Sequence, residues 1–358
     1  MKIALFGFPM TGKSTMFHLL TGVEPSLHAS PSEAQAGVAR VADPRLDRLT
    51  KMYNPKKRVP ATVEYLDLAG VEKGRAAKAM PLEQLRTADA LAHVVRGFED
   101  EAIPHGEGAI DPARDVTTME TELLLADHTI AEKRLEKLTL LASKTAKEED
   151  KFEAELFRKV VSQLEQETPL RNVEFHEREL QQLRGYTFLT LKPLLIVVNA
   201  AEADASRLAE GAAAFGLADA AAWPATHIVA LSAQIESEIA QLESEDARSF
   251  REDLGIAEPA LDRMIRASYR LLGRISFFTV GEDECRAWTV RDGTHARDAA
   301  GTIHSDIERG FIRAELVAYD DLIQAGTWAA CRDAGTLRLE GKDYVMKDGD
   351  VVNFRFNV

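Results

Sequence analysis

The feature that most constrains this chain is a glycine-containing octapeptide near its start, Gly7-Phe-Pro-Met-Thr-Gly-Lys-Ser14. It follows the short apolar run 2–6 and opens a helical pattern over 13–20. In the order strand, loop, helix, the spacing G-x-x-x-x-G-K-[ST] aims a row of backbone N–H groups and the positive end of a helix at one point. That arrangement suits an anion with several oxygens, so the sequence predicts a phosphate-binding loop.

The side chains of the loop extend this prediction to a nucleoside triphosphate, ATP or GTP, bound with Mg²⁺. The ammonium group of Lys13 suits the β- and γ-phosphates, and the hydroxyl of Ser14 suits the metal ion. The predicted nucleotide-binding residues of this segment are Gly7, Pro9, Met10, Thr11, Gly12, Lys13, Ser14 and Thr15.

A second predicted phosphate contact is Asp67-Leu-Ala-Gly70, which ends the apolar run 63–67. The carboxylate of Asp67 can hold the magnesium ion through a water, and the N–H of Gly70 can meet the γ-phosphate. Asp and Gly also end many strands for local reasons. Their place downstream of a phosphate loop favours the functional interpretation.

The base site is predicted at Asn199 and Glu202, which follow the apolar run 194–198. GTP-binding proteins of this type carry N-K-x-D here, but this chain has Ala200 at the Lys position and Glu202 at the Asp position. Guanine specificity is therefore in question. Ser232 and Ala233 have the form of a second base-contact loop. Alternatively, Asn199 and Glu202 simply begin a helix.

The catalytic group is the least determined part of the site. Val71 stands where many GTPases carry a glutamine, and a valine cannot orient a water molecule. His105, in a loop, is a candidate, although a loop histidine is often merely solvated.

Alternating elements predict an α/β fold, a P-loop domain over 1–117 and 184–275 with a mostly parallel sheet. The predicted strands cover 2–6, 63–67, 90–95, 194–198 and 227–231, and the predicted helices include 43–52 and 203–215.

Residues 118–183 predict an inserted hairpin of two long antiparallel helices, because apolar residues recur three and four apart. Two ordinary surface helices are the alternative. The two apolar series are Leu123, Leu124, Ile130, Leu135, Leu138 and Leu141, then Phe152, Leu156, Val160 and Leu164.

From 276 to 358 the pattern changes to alternating strands and glycine-rich turns, which predicts a small α+β domain. The predicted elements are strands over 277–280, 286–290 and 351–356 and a helix over 294–303.

Composition limits the partners. The net charge of −14 argues against a surface that coats nucleic acid, so we expect no DNA partner, although a local basic patch remains open. No apolar run approaches the roughly 20 residues of a membrane span, so we expect no membrane partner. Cys285 and Cys331 lack metal-ligand spacing and are expected to be reduced thiols of a cytoplasmic protein.

These features together resemble the YchF family of Obg-related NTPases, over the whole chain. The densest similarity is in Arg286-Ala-Trp-Thr, Ile303-His-Ser-Asp-Ile-Glu-Arg-Gly-Phe-Ile-Arg313, Leu339-Glu-Gly-Lys-Asp-Tyr344, Phe354-Arg-Phe-Asn-Val358 and His93-Val-Val-Arg-Gly-Phe-Glu-Asp100. The resemblance implies a G domain, an inserted coiled-coil hairpin and a C-terminal TGS domain of β-grasp form. It implies use of ATP at least as readily as GTP, a catalytic role for His105, and ribosome association linked to translation or stress.

Two departures from the family pattern bear on turnover. Pro31 occupies the position of the threonine in the first switch, and the segment 75–81 replaces a longer, glycine-rich second switch. We therefore weigh three functions: a slow ribosome-associated ATPase, a nucleotide-stabilised binding protein with negligible turnover, and a GTP-specific GTPase.

A ribosome contact would need a local cluster of cations, since the C-terminal domain is acidic overall. Arg309, Arg313 and Arg338 are candidates. They could equally pair with the neighbouring acids Asp306, Glu308 and Glu340.

Overall fold

A computed structural model describes residues 1–24, 34–68, 82–100, 103, 108–145, 147–256 and 258–357. The chain forms two compact units, the first from 1–38 and 64–271 and the second from 39–63 and 272–358. The predicted domain limits place 39–63 with the N-terminal domain, whereas its contacts group it with the C-terminal unit. The reason is strand Lys57–Val59, which pairs in parallel with Glu284–Arg291.

The strands are β1 Lys2–Phe6, β2 Gln35–Arg40, β3 Lys57–Val59, β4 Thr62–Asp67, β5 Ala90–Gly97, β6 Leu194–Ala200, β7 Thr226–Leu231, β8 Arg274–Thr279, β9 Glu284–Arg291, β10 Phe311–Ala318, β11 Arg338–Glu340 and β12 Asp350–Phe356. The α-helices are α1 Lys13–Thr21, α2 Pro44–Tyr53, α3 Leu82–Thr87, α4 Pro112–Thr145, α5 Glu148–Glu165, α6 Glu177–Leu183, α7 Ala233–Ile239, α8 Ser244–Asp253, α9 Ala260–Leu271, α10 Ala296–Ile303, α11 Ser305–Arg309, α12 Tyr319–Ala325 and α13 Trp328–Asp333.

The first sheet has the strand order β2-β4-β1-β5-β6-β7 and confirms the predicted α/β architecture. β1 pairs in parallel with β4 and β5, and β6 pairs in parallel with β5 and β7. β6 is buried along its whole length, as expected for a central parallel strand covered on both faces. The carboxyl ends of β1, β4 and β6 therefore bring Gly7, Asp67 and Asn199 to one edge of the sheet.

The helical insertion is antiparallel, but its limits differ from the prediction. Arg134 pairs with Glu153 and His128 lies against Glu165, so α4 and α5 run in opposite directions. The first helix begins earlier, at Pro112, and the second ends at Glu165 rather than near 183. A 3₁₀ turn at Leu170–Asn172 and the short helix α6 complete the segment.

Three details correct the sequence prediction. Leu141 is 52% exposed, so it does not join the buried series. Leu123 packs in the core of the P-loop domain, whereas Leu124 and Leu138 pack in the hairpin core. The predicted helix 203–215 is a 3₁₀ segment, Glu202–Phe215, which Gly211 interrupts with φ 62° and ψ −134°.

The C-terminal unit has a second sheet, in the order β11-β10-β12-β8-β9-β3. Its core contains Phe277, Val352 and Phe354 together with alanines of α10, which confirms the α+β prediction. The sequence prediction missed β10 and β11. Both cysteines are buried free thiols in this unit. Among the described residues, no helix combines enough length and hydrophobicity to cross a bilayer.

Candidate functional site

The phosphate loop needs glycine at its first and sixth positions. Gly7 has φ 146°, and a Cβ there would lie 2.4 Å from the carbonyl oxygen of Val94. Gly12 has φ 91°, and a Cβ there would lie 2.3 Å from Nδ2 of Asn199. Any side chain at either position would combine backbone strain with a steric clash. The two glycines of the motif are therefore required by packing as well as by conformation.

The lysine of the loop is buried and bonded to the loop itself. Lys13 Nζ donates to the carbonyl oxygen of Phe8 at 2.6 Å, and Thr11 Oγ1 donates to the same oxygen at 3.2 Å. Burial lowers the pKa of Lys13 to about 8, and the charge of Asp67 partly opposes this shift. The ammonium group of Lys13 therefore loses its proton at a lower pH than the ammonium group of a solvated lysine.

Ser14 and Asp67, the predicted metal residues, come together at the start of α1. Asp67 accepts a hydrogen bond from the side chain of Ser14. Burial raises the pKa of Asp67, while Ser14 and Lys13 act in the opposite direction. Its Oδ1 is buried and has no hydrogen-bond partner among the described residues. A hydroxyl beside an unsatisfied carboxylate oxygen forms a hard-oxygen set that fits Mg²⁺.

The side-chain amide of Asn199 connects the phosphate loop to the base loop that follows β7. Its Nδ2 donates to the carbonyl oxygen of Thr11 at 3.1 Å, and its Oδ1 accepts from the N–H of Ala233 at 2.9 Å. Ser232 caps helix α7, where its hydroxyl accepts from the N–H of Ile235. Ser232 is therefore the N-cap of α7, and Asn199 fixes the phosphate loop against the base loop.

Glu202 lies at the outer part of the site and is exposed. Its Oε2 accepts from Nε2 of Gln234 at 3.2 Å, and the same amide lies 3.5 Å from Glu238. The second base loop thus supplies a side chain that restrains the predicted base-reading carboxylate. The sequence prediction placed Gln234 in the second base-contact loop but did not name it as a nucleotide-binding residue.

A cavity of about 710 Å³ extends from the phosphate loop to the loops that follow β6 and β7, and it is large enough for a nucleotide. Its lining includes Lys13, Ser14, Thr15, Asn199, Ala233 and Gln234. Phe98 and Glu99 also line it and were missed by the sequence prediction. They directly follow β5, which lies between β1 and β6 in the parallel sheet. Residues at the carboxyl end of such a strand lie at the same edge of the sheet as the phosphate loop, and this position is the sequence signal that could have identified them.

A buried histidine under the phosphate loop was also missed as a site residue. The ring of His93 stacks on Phe6 with centroids 5.0 Å apart, and it is 2% exposed. Burial, with the charge of Lys13, lowers its pKa to about 3. His93 is therefore neutral at physiological pH and adds no charge beneath the loop.

The remaining predicted residues divide into two groups. Pro9 and Met10 are exposed at the tip of the loop, and Met10 has φ 60°. Gly70, Val71 and His105 lie outside the described residues.

Comparisons with known proteins agree with this geometry. A family model described as "50S ribosome-binding GTPase" matches residues 2–200. A second, named YchF-GTPase_C and described as a protein of unknown function, matches residues 274–357.

Similarity to individual proteins extends along the whole chain. A ribosome-binding ATPase YchF of Bacillus subtilis is 44% identical, with 99% of this chain and 98% of the relative covered. The Obg-like ATPase 1 of Caenorhabditis elegans is 34% identical, with 100% of this chain and 92% of the relative covered. The solved structure of the Schizosaccharomyces pombe YchF GTPase superposes with a TM-score of 0.86 at 33% identity, covering 99% of this chain and 97% of that one. With a complete phosphate loop, an Asn199 link to the base loop and full-length similarity, the chain belongs to the YchF family of P-loop NTPases.

Proposed function

We propose that this protein binds ATP with Mg²⁺, hydrolyses it slowly and uses the nucleotide state to control an association with ribosomes. The observation that carries the proposal is the Ser14–Asp67 contact beside the buried ammonium group of Lys13. This contact places the ammonium group of Lys13 and two oxygens that suit a metal ion, one from Ser14 and one from Asp67, beside the phosphate loop. The relatives are described as ribosome-binding ATPases, which supports the ribosomal part of the proposal and, with it, a cytoplasmic location.

The metal ion would be held by Ser14 directly and by Asp67 directly or through water. The described residues contain no cluster of three His, Cys, Asp or Glu side chains. The remaining ligands would therefore come from phosphate oxygens and water, as is usual for Mg²⁺. When bound, the ion would neutralise negative charge on the phosphates.

The base site supports ATP at least as well as GTP. A guanine-reading carboxylate must accept hydrogen bonds from the N1 and N2 groups of the base. In this protein the carboxylate of Glu202 already accepts from Gln234, and Ala200 removes the lysine of the guanine motif. Both features weaken the recognition that distinguishes guanine from adenine.

Calorimetric titration with ATP and GTP in Mg²⁺, and turnover measured on the same sample, tests the proposal. We expect ATP to bind at least as tightly as GTP and to be hydrolysed slowly, while Lys13→Ala serves as the binding-deficient control. A tenfold preference for GTP, about 1.4 kcal/mol, would favour the GTP-specific alternative. Tight ATP binding without turnover would favour the nucleotide-stabilised binding protein.

His105 is proposed as the group that assists hydrolysis, because Val71 cannot orient a water molecule. His105→Ala should lower the turnover number and leave ATP affinity within about twofold, the pattern of a group that acts in the transition state. Single-turnover hydrolysis and calorimetry on the variant separate the two quantities. An unchanged rate would return His105 to the role of a solvated loop residue.

A further inference from the structure

The last strand of the first sheet, β7, pairs on one side only within the part of the chain that the structure describes. Its described pairing is with β6, where the N–H of Leu194 donates to the carbonyl oxygen of Ala225 at 2.9 Å. In a parallel strand the N–H and C=O of one residue point to the same side, and successive residues alternate. The backbone carbonyl group of Ala225 points toward β6. Because successive residues alternate, the backbone groups of Thr226, Ile228 and Ala230 point away from the sheet.

Among the described residues, one of these three outward-pointing residues has a hydrogen-bonded backbone group, and the other two have no backbone partner. The carbonyl oxygen of Ala230 accepts from Nη2 of Arg263 at 2.9 Å, which confirms that it points outward. The backbone groups of Thr226 and Ile228 have no backbone partner among the described residues. Unpaired strand edges of this kind are sites at which another strand can add.

A groove follows this edge. A cavity of about 620 Å³ is lined by residues 225–230 and by helix α9, together with Leu208, Gly211 and Glu258. Arg263, Arg266 and Arg270 line it from α9, and their spacing of three and four residues places them on one helix face. The groove follows β7 from its amino end, whereas the nucleotide cavity lies at the carboxyl ends of the strands.

The charges at the groove are mixed, because acidic side chains lie beside two of the three arginines. Arg266 forms an ion pair with Glu258, near Asp262, and Arg263 lies close to the buried Glu236. Arg270 is exposed and forms no ion pair with any described residue.

The remaining titratable group, His227, is at the start of the strand. Burial, together with the charge of Arg270, lowers its pKa. The exposed Arg270, which has no ion pair among the described residues, lies beside the open backbone groups and favours an acidic ligand.

We propose that β7 is a docking strand, which accepts an extended acidic segment of a partner protein as a seventh strand of the sheet. The backbone groups of Thr226 and Ile228 provide the strand pairing, and carboxylates of the incoming segment meet Arg266 and Arg270. Strand addition of this type takes affinity from main-chain hydrogen bonds and specificity from side chains beside the edge. If the arginines serve only to keep the edge unpaired, neither an acidic nor a basic strand will add to it.

Fluorescence anisotropy tests the proposal with two blocked hexapeptides, one of alternating Glu and Val and one of alternating Lys and Val. The acidic peptide should bind and the basic peptide should not. Arg270→Glu should weaken binding of the acidic peptide roughly tenfold, as expected for reversal of a facing charge. The matched control is Arg248→Glu on α8, since Arg248 is exposed, paired with Glu252 and outside the groove.

Two further measurements separate strand addition from charge attraction. The acidic peptide should slow hydrogen exchange at the amides of Thr226 and Ile228. Ile228→Pro, which removes one outward N–H and no bond to β6, should abolish binding of the acidic peptide. Retained ATP affinity in that variant would show that it is folded.

Three outcomes would overturn the proposal. The first is failure of the acidic peptide to bind, which would leave the arginines as edge guards. The second is binding without protection of the two amides. The third is concentration-dependent dimerisation that Arg270→Glu abolishes, which would identify a second copy of this chain as the occupant.

Discussion

At the residue scale, the chemistry of the site centres on Lys13 and the carbonyl oxygen of Phe8. A triphosphate must replace that carbonyl as the partner of the ammonium group. Burial is also what lowers the pKa of Lys13 to about 8, because the charge of Asp67 opposes it only in part. A bound triphosphate would stabilise the charged form, so binding and protonation of Lys13 are linked.

This linkage predicts a pH dependence of nucleotide affinity. Below the lowered pKa, Lys13 is already charged and affinity should be flat. Above about pH 8 the free protein loses the proton and binding must restore it. ATP affinity should therefore fall roughly tenfold between pH 7.5 and pH 9.

Calorimetry in buffers of different ionisation enthalpy should detect proton uptake that grows over the same range. Lys13→Ala should bind ATP far more weakly, by several kcal/mol, and show no such pH dependence. An affinity that stays constant to pH 9 in the unmodified protein would contradict the assignment of Lys13.

At the element scale, the base of the helical insertion is fixed by a buried carboxylate. Asp127 on α4 is 0% exposed and accepts from the N–H of Leu189 at 3.0 Å and of Thr190 at 2.7 Å. It also accepts from Thr190 Oγ1 at 2.9 Å and from Arg86 on α3 at 3.2 Å. One side chain therefore ties α4 to the helix that precedes β5 and to the loop that precedes β6.

Loss of this carboxylate should be costly. Asp127→Ala would leave two backbone donors and the charge of Arg86 unsatisfied in a buried place. We expect a loss of about 3–5 kcal/mol in the free energy of unfolding, as for a broken buried ion pair. Urea denaturation followed by circular dichroism measures it.

Glu252→Ala is the matched control, since it removes the exposed partner of Arg248 on a helix surface. Its effect should stay below about 1 kcal/mol. A similar, small effect of both substitutions would show that the Asp127 network does not hold the insertion.

At the scale of the whole molecule, charge restricts how the protein can meet a ribosome. Residues 276–358 contain ten Lys and Arg against fifteen Asp and Glu. Each arginine proposed for the contact has an acidic partner: Arg309 pairs with Asp306, Arg313 lies 3.3 Å from Glu315, and Arg338 lies 3.5 Å from Asp350. The pairing alternative describes them better than a free basic cluster does.

We therefore expect ribosome association with a shallow dependence on salt, because the three candidate arginines already pair with acids and would displace few counterions from RNA. Sedimentation with purified ribosomes, with ATP, with ADP and without nucleotide, tests this. The protein should pellet at low salt in at least one nucleotide state. Absence from the pellet in all three states would contradict the ribosomal part of the proposed function.

Local sequence determined the parts of this protein that depend on neighbouring residues. The spacing of Gly7, Gly12 and Lys13 predicted the phosphate loop because a tight backbone turn and a helix start are local events. Apolar runs predicted β5 and β6 because fully buried strands need continuous hydrophobicity. The parallel order of strands then brought Asp67 and Asn199 to the loop.

Tertiary structure decided what depends on residues far apart in the chain. β3 pairs with β9, and this pairing groups residues 39–63 with the C-terminal unit. A strand of three residues is too short to show a recognisable pattern in the sequence. The same holds for Asn199 bridging Thr11 and Ala233, for Gln234 restraining Glu202, and for Asp127 collecting donors from two other elements. Only the packing of β7 and α9 determines which edge of the sheet stays unpaired and which arginines line it. The reason is that the exposure of a backbone group depends on the neighbours that the folded chain places beside it.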